Sequence, residues 1–129
     1  MHRLSVRRFG AGLMEVNLQY LLMIHKFSKV LVNCDGESRY SLIQIAATND
    51  AEKTIRDILE NYGLQFITFE SVVQNTDKEC EIYAIAVDET SANLPKSFQW
   101  ITYSAAVKKL PKTPLYDEVI KWFEKHATI

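Results

Sequence analysis

The stretch Ile82-Tyr83-Ala84-Ile85-Ala86-Val87 constrains this chain most. It is apolar at every position, where a strand with one wet face would alternate. A short run of this kind, rich in β-branched and aromatic residues, is predicted as an inner strand buried on both sides. Tyr20-Leu21-Leu22-Met23-Ile24 is a second such run. Neither approaches the roughly 20 apolar residues of a membrane-spanning helix, so no span is expected.

The rest of the pattern supplies what surrounds these runs. Val16 to Ile24, Lys29 to Asn33 and Tyr40 to Ile45 read as strands, with Asp35-Gly36 as a type I′ hairpin signal between the last two. Ala51, Ile55, Ile58, Leu59 and Tyr62 recur at helical spacing, with Lys53, Asp57 and Glu60 on the opposite side. Asn49 is the expected N-cap, Glu52 its capping-box partner, and Gly63 the left-handed residue that ends the helix. Leu64 to Val73 and Glu79 to Val87 are two further strands, joined by a polar turn over 74–78. Asp88 to Ser97 reads as a loop and Phe98 to Thr102 as a short strand. Ser104 is the expected cap of a short helix through Leu110, and a last amphipathic helix carries Leu115, Val119, Ile120, Trp122 and Phe123. Trp100, Trp122 and Phe123 are expected in the core. Strands, helix, strands and two helices in that order predict an α+β sandwich, a mixed or antiparallel sheet with helices against it.

Composition bounds the function. A chain of 129 residues suits one domain, expected over 15–129 behind a basic tail over 1–14. A net charge of −1 argues against a dedicated nucleic-acid binder. Cys34 and Cys80 are far apart and belong to no metal-ligand cluster, so a reducing, cytoplasmic setting is the expectation. Arg3, Arg7 and Arg8 with no acid before Glu15 leave mitochondrial targeting as the alternative. His2, His25 and His126 are scattered and have no evident nucleophile partner.

The segment Arg56-Asp57-Ile58-Leu59-Glu60-Asn61-Tyr62-Gly63-Leu64 resembles the second half of the Nudix box, R-E-U-x-E-E-x-G-U, where U is a bulky aliphatic. Arg56, Asp57, Ile58, Glu60, Gly63 and Leu64 fall on its Arg, first Glu, first aliphatic, second Glu, Gly and last aliphatic places; Asn61 stands at the third Glu place. The resemblance covers roughly Val16 to His126 and implies a Nudix-like α/β/α sandwich with the box-like helix near residues 49–62. It also implies a site where Mg²⁺ or Mn²⁺ sits among carboxylates and a pyrophosphate. Asp57 and Glu60 are then the catalytic and metal-site candidates, joined as metal ligands by Asp88 and Glu89 at the end of the neighbouring strand, and Arg56 and Asn61 are the ligand-binding ones.

The departures matter as much. The first half of the box is absent, Thr48 stands where its Glu belongs, and Ile43 to Thr48 leads into the helix with no glycine to let a backbone approach phosphate. The expected function is therefore a non-catalytic module for a nucleoside-diphosphate-type ligand or a protein partner, requiring no cofactor. The alternative is an atypical Mg²⁺- or Mn²⁺-dependent hydrolase of nucleoside-diphosphate compounds.

Overall fold

The structure is a computed structural model that describes residues 7–9, 12–14, 18–37, 39–73, 80–89 and 93–127. β1 (Arg7–Phe9) and β2 (Gly12–Met14) pair as a small antiparallel hairpin within the stretch expected to be a tail. β3 (Gln19–Lys26), β4 (Lys29–Cys34) and β5 (Tyr40–Ala46) follow, then α1 (Ala51–Asn61). β6 (Leu64–Val73), β7 (Cys80–Glu89) and β8 (Phe98–Thr102) precede α2 (Tyr103–Lys109), a 3-10 turn over Pro114–Tyr116 and α3 (Asp117–Ala127). The polar turn expected over 74–78 and the start of the strand expected at Val16 lie outside the described residues.

Six strands form one mixed sheet in the order β6-β7-β3-β5-β4-β8. β3 and β7 run parallel, in register from Gln19↔Cys80 to His25↔Ala86, and the other pairings are antiparallel. Both apolar runs of the sequence thus lie side by side. Their alternate residues feed two cores. Leu21, Met23, Ile82 and Ala84 pack with Val119 and Phe123 beneath α2 and α3. Tyr20, Leu22, Tyr83 and Ile85 pack with Ile55 and Leu59 of α1 on the other face. The sandwich read from the sequence is the one observed.

Local chemistry shifts several boundaries. The N-cap of α1 is Asp50, one residue later than expected, and its Oδ1 accepts the Lys53 N–H at 3.1 Å. Glu52 makes no capping box; it pairs with Arg56 one turn on. Gly63 ends the helix as expected, at φ 72°. Thr102, not Ser104, caps α2, its Oγ1 accepting the Ala105 N–H at 3.1 Å. Asp88, expected in a loop, belongs to β7. Trp100 and Trp122, expected in the core, are half-buried, whereas Phe123 is fully enclosed.

The type I′ turn expected at Asp35-Gly36 is elsewhere. Gly36 does not adopt positive φ. The loop is instead closed by the Asp35 carboxylate, whose Oδ1 accepts the Glu37 and Arg39 N–H groups at 2.8 and 3.0 Å. The two-residue turn with positive φ at both positions joins β3 to β4, at Phe27 (φ 50°) and Ser28 (φ 61°). Neither residue is one that relieves left-handed strain, which costs about 1–2 kcal/mol per L-residue.

Ile55 and Leu59 are the buried residues of α1, while Ile58 is only half-buried. Ile55→Ala should cost about 2–5 kcal/mol in urea unfolding, through lost burial and the cavity left behind. Ile58→Ala should cost distinctly less, because water already reaches part of that side chain.

His25 lies on the α3 side, in a cluster with Tyr103, Trp122 and His126. Tyr103 Oη is 3.2 Å from His25 Nδ1, and the Trp122 ring centroid is 5.0 Å from that of His25. Burial, and secondarily the neighbouring His126, lower the His25 pKa to about 4, against a smaller opposing pull from Glu70. Below the unfolded value of 6.5 the unfolded chain takes up a proton that the folded chain refuses. His25 should therefore support the fold fully above pH 6.5 and lose that contribution as pH falls toward 4. An NMR titration should find its ring neutral at pH 6.

Candidate functional site

α1 is amphipathic, so its outer face carries every candidate from the box-like segment. Its charges are engaged along the helix. Lys53 Nζ lies 2.9 Å from Asp57 Oδ2, and Arg56 Nε lies 3.0 Å from Glu52 Oε2, both i,i+4 pairs. The Arg56 guanidinium also lies over the Phe66 ring of β6, 3.9 Å from its centroid. Asp57 draws the Lys53 pKa upward through their hydrogen bond and charge attraction. Glu60 and Asn61 are exposed on the last turn.

The β6–β7 pairing brings Asp88 and Glu89 opposite Gln65 and Leu64, beside the segment that leaves α1. The four candidates thus share one end of the sheet. Asp57 and Asp88 do not share a face. Val87 packs in the core under α1, so strand alternation directs its neighbour Asp88 to the opposite side. The Glu89 side chain lies outside the described residues. Among the described residues no three of His, Cys, Asp and Glu come together to hold a metal ion. A hard divalent cation wants about six oxygen ligands, and Asp57 is already matched to a lysine. The described donors do not fit such an ion.

The link from β5 to α1 is equally closed. Tyr20 Oη donates to the Thr48 carbonyl at 2.8 Å, and the Thr48 and Thr54 hydroxyls meet at 2.5 Å. The carboxylate of Asp50 sits where an anion would meet the helix N-terminus. A depression of about 470 Å³ beside it is bordered by Asp50, Lys53, Thr54 and Asp57.

A second depression, of about 270 Å³, opens where the sheet extends past the C-terminal end of α1. Asn33 of β4, Ser41 and Ile43 of β5, Tyr62 and Phe98 of β8 line it. The rings of Tyr62 and Phe98 meet edge to face, centroids 5.5 Å apart. The carbonyl of Tyr62 accepts the Asn93 N–H at 2.7 Å, which ties the loop before β8 to the helix end. Burial raises the Tyr62 pKa, so its phenol stays protonated. The sequence placed Tyr62 on the apolar stripe of α1 and Phe98 at a strand start; only the fold joins them to Asn33 and Ser41, which carry no local signal of their own.

No protein-family model matches this sequence, and no curated protein matches it. Solved structures do match in fold. A Sinorhizobium meliloti protein, provisionally described as an oxidoreductase, aligns with 88% of this chain at 13% identity and a TM-score of 0.63, although the match spans 40% of that longer chain. A MutT from work on Aliivibrio salmonicida and Vibrio cholerae aligns over 85% of this chain and 98% of its own, at 10% identity and a TM-score of 0.58. The Caenorhabditis elegans Ap4A hydrolase aligns over 88% and 97%, at 14% identity and a TM-score of 0.53. The chain therefore has a Nudix-like α+β fold, a mixed sheet between α1 and the α2–α3 pair. At such identities the likeness concerns architecture, and function must be argued from this chain's own residues.

The exposed pairs on α1 make one expectation. Asp57→Asn should change stability by less than ~0.5 kcal/mol in urea unfolding, because a solvated i,i+4 ion pair is worth little.

Proposed function

We propose that this domain binds a nucleoside-diphosphate-type ligand or a protein side chain without hydrolysing it. The observation that carries this reading is the parity of β7, which packs Val87 under α1 and turns Asp88 to the face opposite Asp57. Lys53 also pairs with Asp57, at the first carboxylate place of the box-like segment, at 2.9 Å. Asn61 at the third carboxylate place and the Asp50 cap at the helix start point the same way. A metal held jointly by Asp57 and Asp88 would require a rearrangement of α1 against β7.

The ligand in this reading lies in the depression between Tyr62, Phe98, Asn33 and Ser41. Its volume of about 270 Å³ suits a single base or one large side chain. Tyr62 and Phe98 offer ring edges and faces to a planar group, and Asn33 and Ser41 offer both donors and acceptors.

Activity assays separate the two readings. With Mg²⁺ or Mn²⁺, the protein should leave ADP-ribose, dinucleotides and nucleoside triphosphates unhydrolysed above buffer. Asn61→Glu should not create turnover, because it restores a carboxylate but neither frees Asp57 nor opens the helix start. Metal-dependent hydrolysis that disappears in Asp57→Asn would overturn the proposal and establish the hydrolase.

A further inference from the structure

The depression at Tyr62 lies in a negative electrostatic setting. It opens at the C-terminal end of α1, the negative end of the helix macrodipole, and the last turn of that helix carries no basic residue. Glu60 adds a carboxylate to the same turn. Phe98, Asn33 and Ser41 form one row across β8, β4 and β5, each directly opposite the next. The loop that leaves this row carries Asp35 and Glu37, and Arg39 bridges both, at 3.0 and 2.7 Å. The Glu37 and Arg39 N–H groups hold the Asp35 carboxyl below its usual range, so it stays ionised. Lys96, two residues before Phe98, is a further cation, so three carboxylates stand against two cations on these segments. Among the described residues that line the depression, none is charged.

The lining suits one kind of group in that field. Tyr62 and Phe98 place two aromatic rings beside each other, and an aromatic face attracts a cation through its quadrupole. Asn33 Oδ1 and the hydroxyls of Ser41 and Tyr62 are hydrogen-bond acceptors. A guanidinium is flat, always charged and carries five N–H donors, so it stacks on a ring and uses such acceptors at once. A rounder ammonium does neither as well. A pyrophosphate meets the opposite conditions, a negative helix end and a lining with no cation.

We infer that the depression receives the guanidinium of an arginine side chain on a partner protein, and holds it more tightly than the base of a nucleotide. The guanidinium lies against Tyr62 and Phe98 and donates to Asn33 and Ser41. The end of α1, Glu60 and the Asp35 loop supply the negative potential that favours it. The volume of about 270 Å³ accommodates such a side-chain end. This preference rests on the ligand site being the one placed above, and it chooses between the two ligand classes given there.

The test is an NMR titration of the full chain with capped Gly-Arg-Gly, Gly-Lys-Gly and Gly-citrulline-Gly peptides and, separately, with ADP. The arginine peptide should shift the amides of Asn33, Ser41, Tyr62 and Phe98 at lower concentration than ADP does. Citrulline keeps the shape of arginine without its charge, and its peptide should bind about tenfold more weakly. The lysine peptide should also bind more weakly, since it lacks the flat fork of donors. Asn33→Asp should tighten arginine binding and weaken ADP binding, opposite changes that a damaged fold would not produce. Tyr62→Leu should weaken the arginine peptide. Citrulline that binds as well as arginine, ADP that binds more tightly than arginine, or an Asn33→Asp protein with unchanged arginine affinity would overturn the inference and leave the ligand site standing. If neither arginine nor ADP moves these four amides, the site itself falls and the inference with it.

Discussion

The parallel pairing of β3 with β7 is the constraint on which the rest depends. Two strands that are apolar on both faces cannot stand at a wet surface, so the sheet must be covered twice. α1 closes one face through Ile55 and Leu59, and α3 closes the other through Val119 and Phe123. Because α1 spends its apolar stripe on that task, its charged face is turned outward. There Lys53, Asp57, Glu52 and Arg56 find their partners one turn away along the helix. The sheet runs on past the helix end toward β8, and Tyr62 and Phe98 leave a small depression there.

The two cores use none of the outward residues of α1. Asn61 and the Lys53–Asp57 pair lie outside both. The link before α1 places Thr48 against Tyr20 and Thr54 and gives the helix start its own carboxylate cap in Asp50. The Lys53 N–H at the helix start is thereby already satisfied.

Most of the fold was legible in the sequence because it rests on periodicity. The double-faced runs, the stripe on α1 and Gly63 each carry a signal that tertiary contacts reinforce. The misplaced features are those where two local solutions compete. Asn49 and Asp50 are both good caps, and the choice falls to Asp50, whose side chain reaches the Lys53 N–H. Asp35-Gly36 has the composition of a tight turn, but the Asp35 carboxylate can close a wider loop, and it does. Phe27-Ser28 has no turn composition at all and is forced by the pairing of β3 with β4. The site was less legible. The box-like segment located α1 correctly, but strand parity, which directs Asp88 away from α1, operates over pairings the linear chain does not display. Asn33 and Ser41 gave no signal because the depression they line forms only where three strands and a helix end meet.

The most direct test of the account is where a nucleotide touches the protein. In an NMR titration with ADP, the amides of Asn33, Ser41, Tyr62 and Phe98 should shift, to the same extent with and without Mg²⁺. Shifts confined to residues 56–61 of α1, and seen only when Mg²⁺ or Mn²⁺ is present, would contradict it and return the carboxylates of that helix to a metal site.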